Sequence, residues 1–276
     1  MADRAQRIDA PLQREPHGVT DTPIETSIPY KSRVKGARRH FGFFPFFAKK
    51  PWPVVQEYIK HYTHPGDLVC DPFAGSGVVP VEALVLGRRT ISGDINPVAR
   101  FITRMTAVAP VDLDALSAAY EQVQGEAQGQ IEVLDTYSDA TVEALLRTLD
   151  YPRNVIPSTV RRAGIETVDH LHTPRQLAGL ALLRDAIERL EDPLARDLLR
   201  VALANTVRYC NRTYILPYDK GERRSSYRGD AGFLRRFSYS PASPRLFYEH
   251  SVWPTFEKAT KAVFHAKQET NSLIDG

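Results

Sequence analysis

The run Cys70-Asp71-Pro72-Phe73-Ala74-Gly75-Ser76-Gly77 decides the fold of this chain. Leu68 and Val69, directly after the Gly66-Asp67 break, read as a short buried strand, and the proline and glycines that follow cannot extend it. Val79, Val81, Ala83, Leu84 and Leu86 then describe a helix that stops at Gly87, a left-handed cap. A second strand is expected over residues 90–93, placing Asp94 at its carboxyl end, where open α/β sheets bind their ligands. Strand, turn, helix, strand is the order of the α/β class.

Gly75 and Gly77 permit positive φ and let a ligand approach the backbone closely, and Ser76 between them is small. Asp94 follows Gly77 by 17 residues, near the ~20 that separate a dinucleotide glycine fingerprint from its ribose-binding carboxylate. Pro80 stands where that fingerprint has its third glycine, and its ring blocks the close helix contact that a pyrophosphate turn needs. The pattern disfavours NAD and FAD and suits a ligand without phosphates, such as S-adenosylmethionine. A lone Gly-x-Gly turn is most often only a turn. Asp71-Pro72-Phe73 before it and Gly93-Asp94-Ile95-Asn96-Pro97 after it make this one a cofactor site.

At these residues the chain resembles the S-adenosylmethionine-dependent amino-methyltransferases of DNA, which methylate the exocyclic amine of adenine or cytosine. Asp71-Pro72-Phe73-Ala74-Gly75-Ser76-Gly77 is similar to their first motif, continued by Glu82-Ala83-Leu84 and Gly87-Arg88. Upstream, Phe44-Pro45-Phe46-Phe47-Ala48-Lys49-Lys50-Pro51 resembles the segment that closes over the methionine end of the cofactor. The resemblance implies a Rossmann-like methyltransferase fold, its sheet incomplete in this chain. It also implies that Phe73, Gly75 and Gly77, with Pro45 and Phe46 above them, line the methionine part. Asp71 would meet the cofactor's amino group, Asp94 the ribose and Asn96 the adenine. Val78-Val79 departs from the hydroxyl side chains common in the family. Fainter similarity runs through Leu171-His172-Thr173-Pro174-Arg175-Gln176-Leu177 and Glu249-His250-Ser251-Val252-Trp253.

The family's catalytic motif, an Asp, Asn or Ser followed by Pro-Pro-Tyr, does not occur in these residues. Ile28-Pro29-Tyr30 and Leu216-Pro217-Tyr218-Asp219 each have one proline and no polar residue in front of it, and read as ordinary turns. An enzyme that extrudes a base from the duplex needs a stacking ring and hydrogen-bonding groups for the amine. The expectation is therefore a chain that presents the methyl donor and carries no catalytic residue, being either an amino-terminal part or one subunit of a divided enzyme. The missing motif would come from a continuation or a second polypeptide. RNA in place of DNA, or a non-catalytic S-adenosylmethionine-binding scaffold, are the alternatives.

Hydrophobic content of 42%, charged content of 25% and a net charge of +3 over 276 residues are ordinary for a globular protein. No apolar run is long enough for a membrane span, and Met1-Ala2-Asp3-Arg4 lacks the apolar core of a secretion signal. Cys70 and Cys210 supply neither a metal cluster nor a disulfide framework; no metal is expected, and a cytoplasmic location fits. Cys70, at a strand end, is expected to be buried. The charge distribution says more than its sum. Residues 112–150 hold nine acids against Arg147, whereas residues 207–245 hold nine bases against Asp219, Glu222 and Asp230. In the basic stretch Arg223, Arg224, Arg228, Arg235 and Arg236 alternate with Tyr227, Phe233, Phe237 and Tyr239. Cations that neutralise phosphates and rings that stack on bases are what DNA contact requires.

Along the chain, residues 1–38 read as a polar basic arm and residues 39–110 as the cofactor-binding half, with a helix over 53–62. Residues 111–276 read as a mainly helical region with a basic loop at 211–243, the candidate for target recognition or partner docking. Thr173-Pro174 and Asp192-Pro193 each combine a capping residue with a proline at the first helical position, and so start two helices. A last amphipathic helix is expected over residues 254–267.

Overall fold

The computed structural model describes residues 38–46, 49–157, 165–212, 214–215, 235–236 and 249–274, with isolated positions 24 and 28. Among these residues the fold is mixed: a small parallel sheet sits in a mostly helical body. Strands β1 (Leu68–Asp71) and β2 (Arg89–Ser92) pair in parallel, Leu68 opposite Arg89 and Asp71 opposite Ser92. Helix α2 (Val78–Val85) connects them and packs on both. Its end is closed by a Schellman pair, Gly87 N–H to Leu84 O at 2.9 Å and Arg88 N–H to Ala83 O at 2.8 Å. Helix α1 (Trp52–Tyr62) precedes β1 and packs on α2, and α3 (Pro97–Ala107) follows β2.

Register and strand alternation put Cys70 and Ile91 side by side on one face of this sheet. That face is open: Ile91 is 50% exposed and Cys70 is exposed too. The expected burial of Cys70 is therefore corrected. A short apolar strand signals burial only when something covers both faces, and here α2 packs on the strands while Cys70 and Ile91 stay in solvent.

Helices α4 (Leu113–Glu132), α5 (Asp139–Leu146), α6 (Pro174–Glu188), α7 (Pro193–Tyr209) and α8 (Val252–Ile274) form the rest of the body. Their starts are written locally. Thr173 forms a capping box with Gln176, while Asp112 and Asp192 each accept two backbone N–H groups at the heads of α4 and α7. Apolar side chains of α6 and α7 meet those of α8 in one buried cluster that includes Leu183, Ile187, Leu198, Val201, Phe256 and Val263. Phe43, Ile102 and Met105 from the amino-terminal side belong to the same cluster.

Helix α8 runs about two turns past its expected end at 267. Its last turns are polar, so periodicity stops marking them, but distant partners hold them. Asn271 exchanges hydrogen bonds with the backbone of Val111 (2.9 and 2.7 Å), and Glu269 accepts from Arg39. Within the expected basic loop, Tyr214–Ile215 (β3) pairs antiparallel with Arg235–Arg236 (β4). Arg223, Arg224 and Arg228 lie outside the described residues.

Candidate cofactor site

The turn between β1 and α2 is tied to the end of β2 by two bonds. Ala74 N–H donates to Gly93 O at 2.9 Å, and Gly75 N–H donates to Asp94 Oδ2 at 2.9 Å. The other oxygen of Asp94 accepts Asn96 N–H at 2.9 Å. The N–H groups of Asn96 and Gly75 hold the Asp94 carboxyl below the usual carboxylate range, against a smaller opposing effect of burial. An ionised carboxylate thus stands beside the glycine turn. Asn96 Oδ1 caps α3 by accepting Val98 N–H at 2.9 Å, which leaves its amide NH₂ as the outward donor. Asp71 Oδ1 accepts Phe73 N–H at 3.0 Å in an Asx turn.

The two glycines meet different neighbours. Gly75 has φ +56°, and a Cβ there would lie 3.5 Å from the Phe46 ring, which places the upstream aromatic segment against the turn. Half-buried Pro45 precedes it. Gly77 has φ +81°, and a Cβ there would approach Thr103 Cα to 3.1 Å, so the backbone of α3 occupies the space on that side. Thr103 Oγ1 also donates to Gly75 O at 3.2 Å. Asp71, Phe73, Gly75, Gly77, Asp94, Asn96, Pro45 and Phe46 are thus gathered around one turn. Phe73 is 86% exposed, as is Ile95 fully.

Sequence reasoning gave no role to the buried charges behind this turn. Glu82, on α2, has no exposed surface and accepts Arg39 in a fork, Nε to Oε1 at 2.8 Å and Nη2 to Oε2 at 3.0 Å. His40 Nε2 contacts Oε1, and Gln56 Nε2 donates to Oε2 at 2.6 Å. Burial pushes the Glu82 carboxyl up, but the hydrogen bonds from His40 and Arg39 outweigh it and keep it ionised. Burial depresses His40 more than Glu82 raises it, so the ring is neutral and its Nε2–H donates. A glutamate in the otherwise apolar run Val78-Val79-Pro80-Val81-Glu82-Ala83 was the available signal.

A cavity of 440 Å³ lies elsewhere, between the end of α4 and the starts of α6 and α8. It joins the two fainter segments: Thr173 Oγ1 donates to Glu249, and Gln176 Nε2 donates to His250 O at 3.2 Å. Arg175 is engaged by Asp139, Leu134 O and Tyr137 O. The side chains of Thr173, Arg175 and Gln176 are thus engaged within the protein, and the residues singled out in the sequence gather at the turn, not at this cavity. Among the described residues no group of three or more His, Cys, Asp or Glu is arranged to hold a metal, and no helix is long and apolar enough to cross a membrane.

The glycine turn is thus bonded to a carboxylate at the next strand end, with an aromatic segment against it. Residues 13–103 match the family model described as DNA methylase, which bears out the resemblance to the DNA amino-methyltransferases. The chain is also similar to "Putative methylase YubD" of Escherichia coli (strain K12), at 51% identity over 43 residues, 16% of this chain and 19% of that protein. The chain thus aligns with about a fifth of that relative's length. No solved structure matches.

Proposed function

We propose that this chain is the S-adenosylmethionine-binding part of a DNA methyltransferase acting on an exocyclic amine of adenine or cytosine. The observation that carries the reading is Asp94, held ionised beside the Gly75 turn. Each carboxylate oxygen has two lone pairs, so one backbone bond apiece leaves acceptor capacity for a pair of ribose hydroxyls. The cofactor supplies an electrophilic methyl group. This chain's residues orient it: Asp94 at the ribose, Asn96 toward the adenine, Asp71 toward the amino group, and Phe46 and Phe73 about the methionine end.

The catalytic Pro-Pro-Tyr motif belongs, in this reading, to a partner polypeptide or a continuation of the chain. A Rossmann-like sheet would then be completed by added strands. Among the described residues β1 and β2 pair only with each other, so their outer edges offer places where such strands would add, and the open face with Ile91 offers surface for the elements that accompany them. Methyl transfer to DNA is expected only when a Pro-Pro-Tyr-bearing polypeptide is supplied. Transfer by the purified chain alone would refute the division, and transfer to RNA in preference to DNA would refute the substrate.

Two variants test the assignments. Asp94→Ala should weaken S-adenosylmethionine binding in calorimetry on the order of a hundredfold, since two charge-assisted hydrogen bonds are lost. Unchanged affinity would remove Asp94 from the site. For DNA, reversal of Arg223, Arg224, Arg235 and Arg236 to Glu should lower affinity and flatten its salt dependence, by roughly 0.9 in the logarithmic slope per lost phosphate contact. An unaltered slope would make the basic stretch bystander surface.

A further inference from the structure

The buried Glu82 cluster does not touch the turn where the cofactor is placed, yet it fixes the segment that lies over that turn. Arg39 links Glu82 on α2 to Glu269 on α8, through Nη1 at 2.5 Å and its backbone N–H at 3.1 Å, and its guanidinium lies 4.7 Å over the Trp52 ring of α1. Three helices therefore converge on one side chain at the start of residues 39–46. The segment is pinned again further along. Lys49 Nζ donates to His40 O and, at 2.9 Å, to Phe44 O, and Asn205 Nδ2 donates to Phe43 O at 2.8 Å. Beyond these pins Phe46 rests against Gly75.

A buried ion pair is weak evidence for stability, because well-packed apolar side chains in its place are often as good or better. What the forked Arg39–Glu82 bond adds is direction: two parallel hydrogen bonds fix how the segment is oriented against α2. A lid that is set before the ligand arrives avoids the ordering entropy of closing. We infer that Glu82 and Arg39 are positioning residues for the methyl-donor pocket, holding residues 43–46 in place over Gly75. The inference rests on the proposed cofactor reading.

The experiment uses the full chain with Glu82→Gln, Glu269→Gln and the double variant Glu82→Gln with Arg39→Gln. Three readouts are taken: thermal midpoint, amide exchange at Phe43, Phe44 and Phe46, and S-adenosylmethionine affinity by calorimetry where each protein is fully folded. Glu82→Gln should speed exchange at those three amides and weaken affinity about tenfold, as expected if the seated lid falls to about a tenth of the population. Glu269→Gln changes only the outer, 21%-exposed partner of Arg39, so it folds and should shift both in the same direction by a smaller factor. The double variant removes the unpaired charge without restoring the fork. Its thermal midpoint should recover while its affinity stays weak. Recovery of affinity together with stability, or wild-type exchange and affinity in Glu269→Gln and the folded Glu82 variants, would overturn the inference. A wild-type chain that binds no S-adenosylmethionine would instead refute the cofactor reading, and the exchange at residues 43–46 would still decide whether the pair positions the segment.

Discussion

Gly77→Ala is expected to destabilise the chain by about 2–4 kcal/mol, and Gly75→Ala by only about 1–2 kcal/mol. Both glycines have positive φ, so a Cβ costs a similar backbone strain at either position. The difference lies in what the Cβ meets. At position 75 its nearest neighbour is the Phe46 ring at 3.5 Å, an ordinary contact with a side chain that can give way. At position 77 it meets Thr103 Cα at 3.1 Å and Thr103 O at 3.4 Å, so α3 itself must move. That motion would pull on the Thr103–Gly75 bond and loosen the turn from behind. Denaturant unfolding of the two variants measures the gap. Equal losses would mean that α2 and α3 are not in the close contact described.

The second large effect is a pH dependence centred on Lys267. This lysine has no exposed surface; its Nζ donates to Thr106 O and Val108 O, each at 3.0 Å, and lies 5.2 Å from the Phe43 ring centre. Burial pushes its amine down to about 7, from 10.5 for an ordinary lysine. Between those values the unfolded chain holds a proton that the folded chain has released, so stability rises with pH across that window and is lost as pH falls back through 7. Lys49, lowered to about 8 by burial, adds in the same direction. The Lys267→Met variant lacks the larger contribution. Between pH 7 and 9.5 the wild type should therefore gain on the variant by on the order of 3 kcal/mol, read from paired urea titrations. Parallel curves would show that the ammonium keeps its proton, its charge satisfied by the two carbonyls and the ring.

What was legible in the sequence was encoded locally. Strand, glycine turn, helix and second strand came out within a residue of their positions, and Thr173-Pro174 and Asp192-Pro193 announced their helices, because caps and turn glycines act on their immediate neighbours. The gathering of Phe46, Gly75 and Asp94 was anticipated by family resemblance. Periodicity alone would not bring Phe46 to Gly75, which lies 29 residues further along the chain.

What escaped reading depends on distant partners. Glu82 reads as part of a motif, but its burial as a charge needs Arg39, 43 residues upstream, and Gln56, 26 residues upstream. The final turns of α8 look like a polar tail until Asn271 is placed beside Val111 and Glu269 beside Arg39. Cys70 looks buried because its neighbours in sequence are apolar, whereas its exposure is set by what covers the sheet. Gly77 signals close approach of a ligand in the sequence, whereas in the structure its near neighbour is Thr103, which no spacing rule marks.

Titration of S-adenosylmethionine into the purified chain in a calorimeter tests the account most directly. One saturable site with one-to-one stoichiometry is predicted, its heat largely lost in Asp94→Ala. Absence of heat in the folded wild type, or identical isotherms for the two proteins, would contradict it.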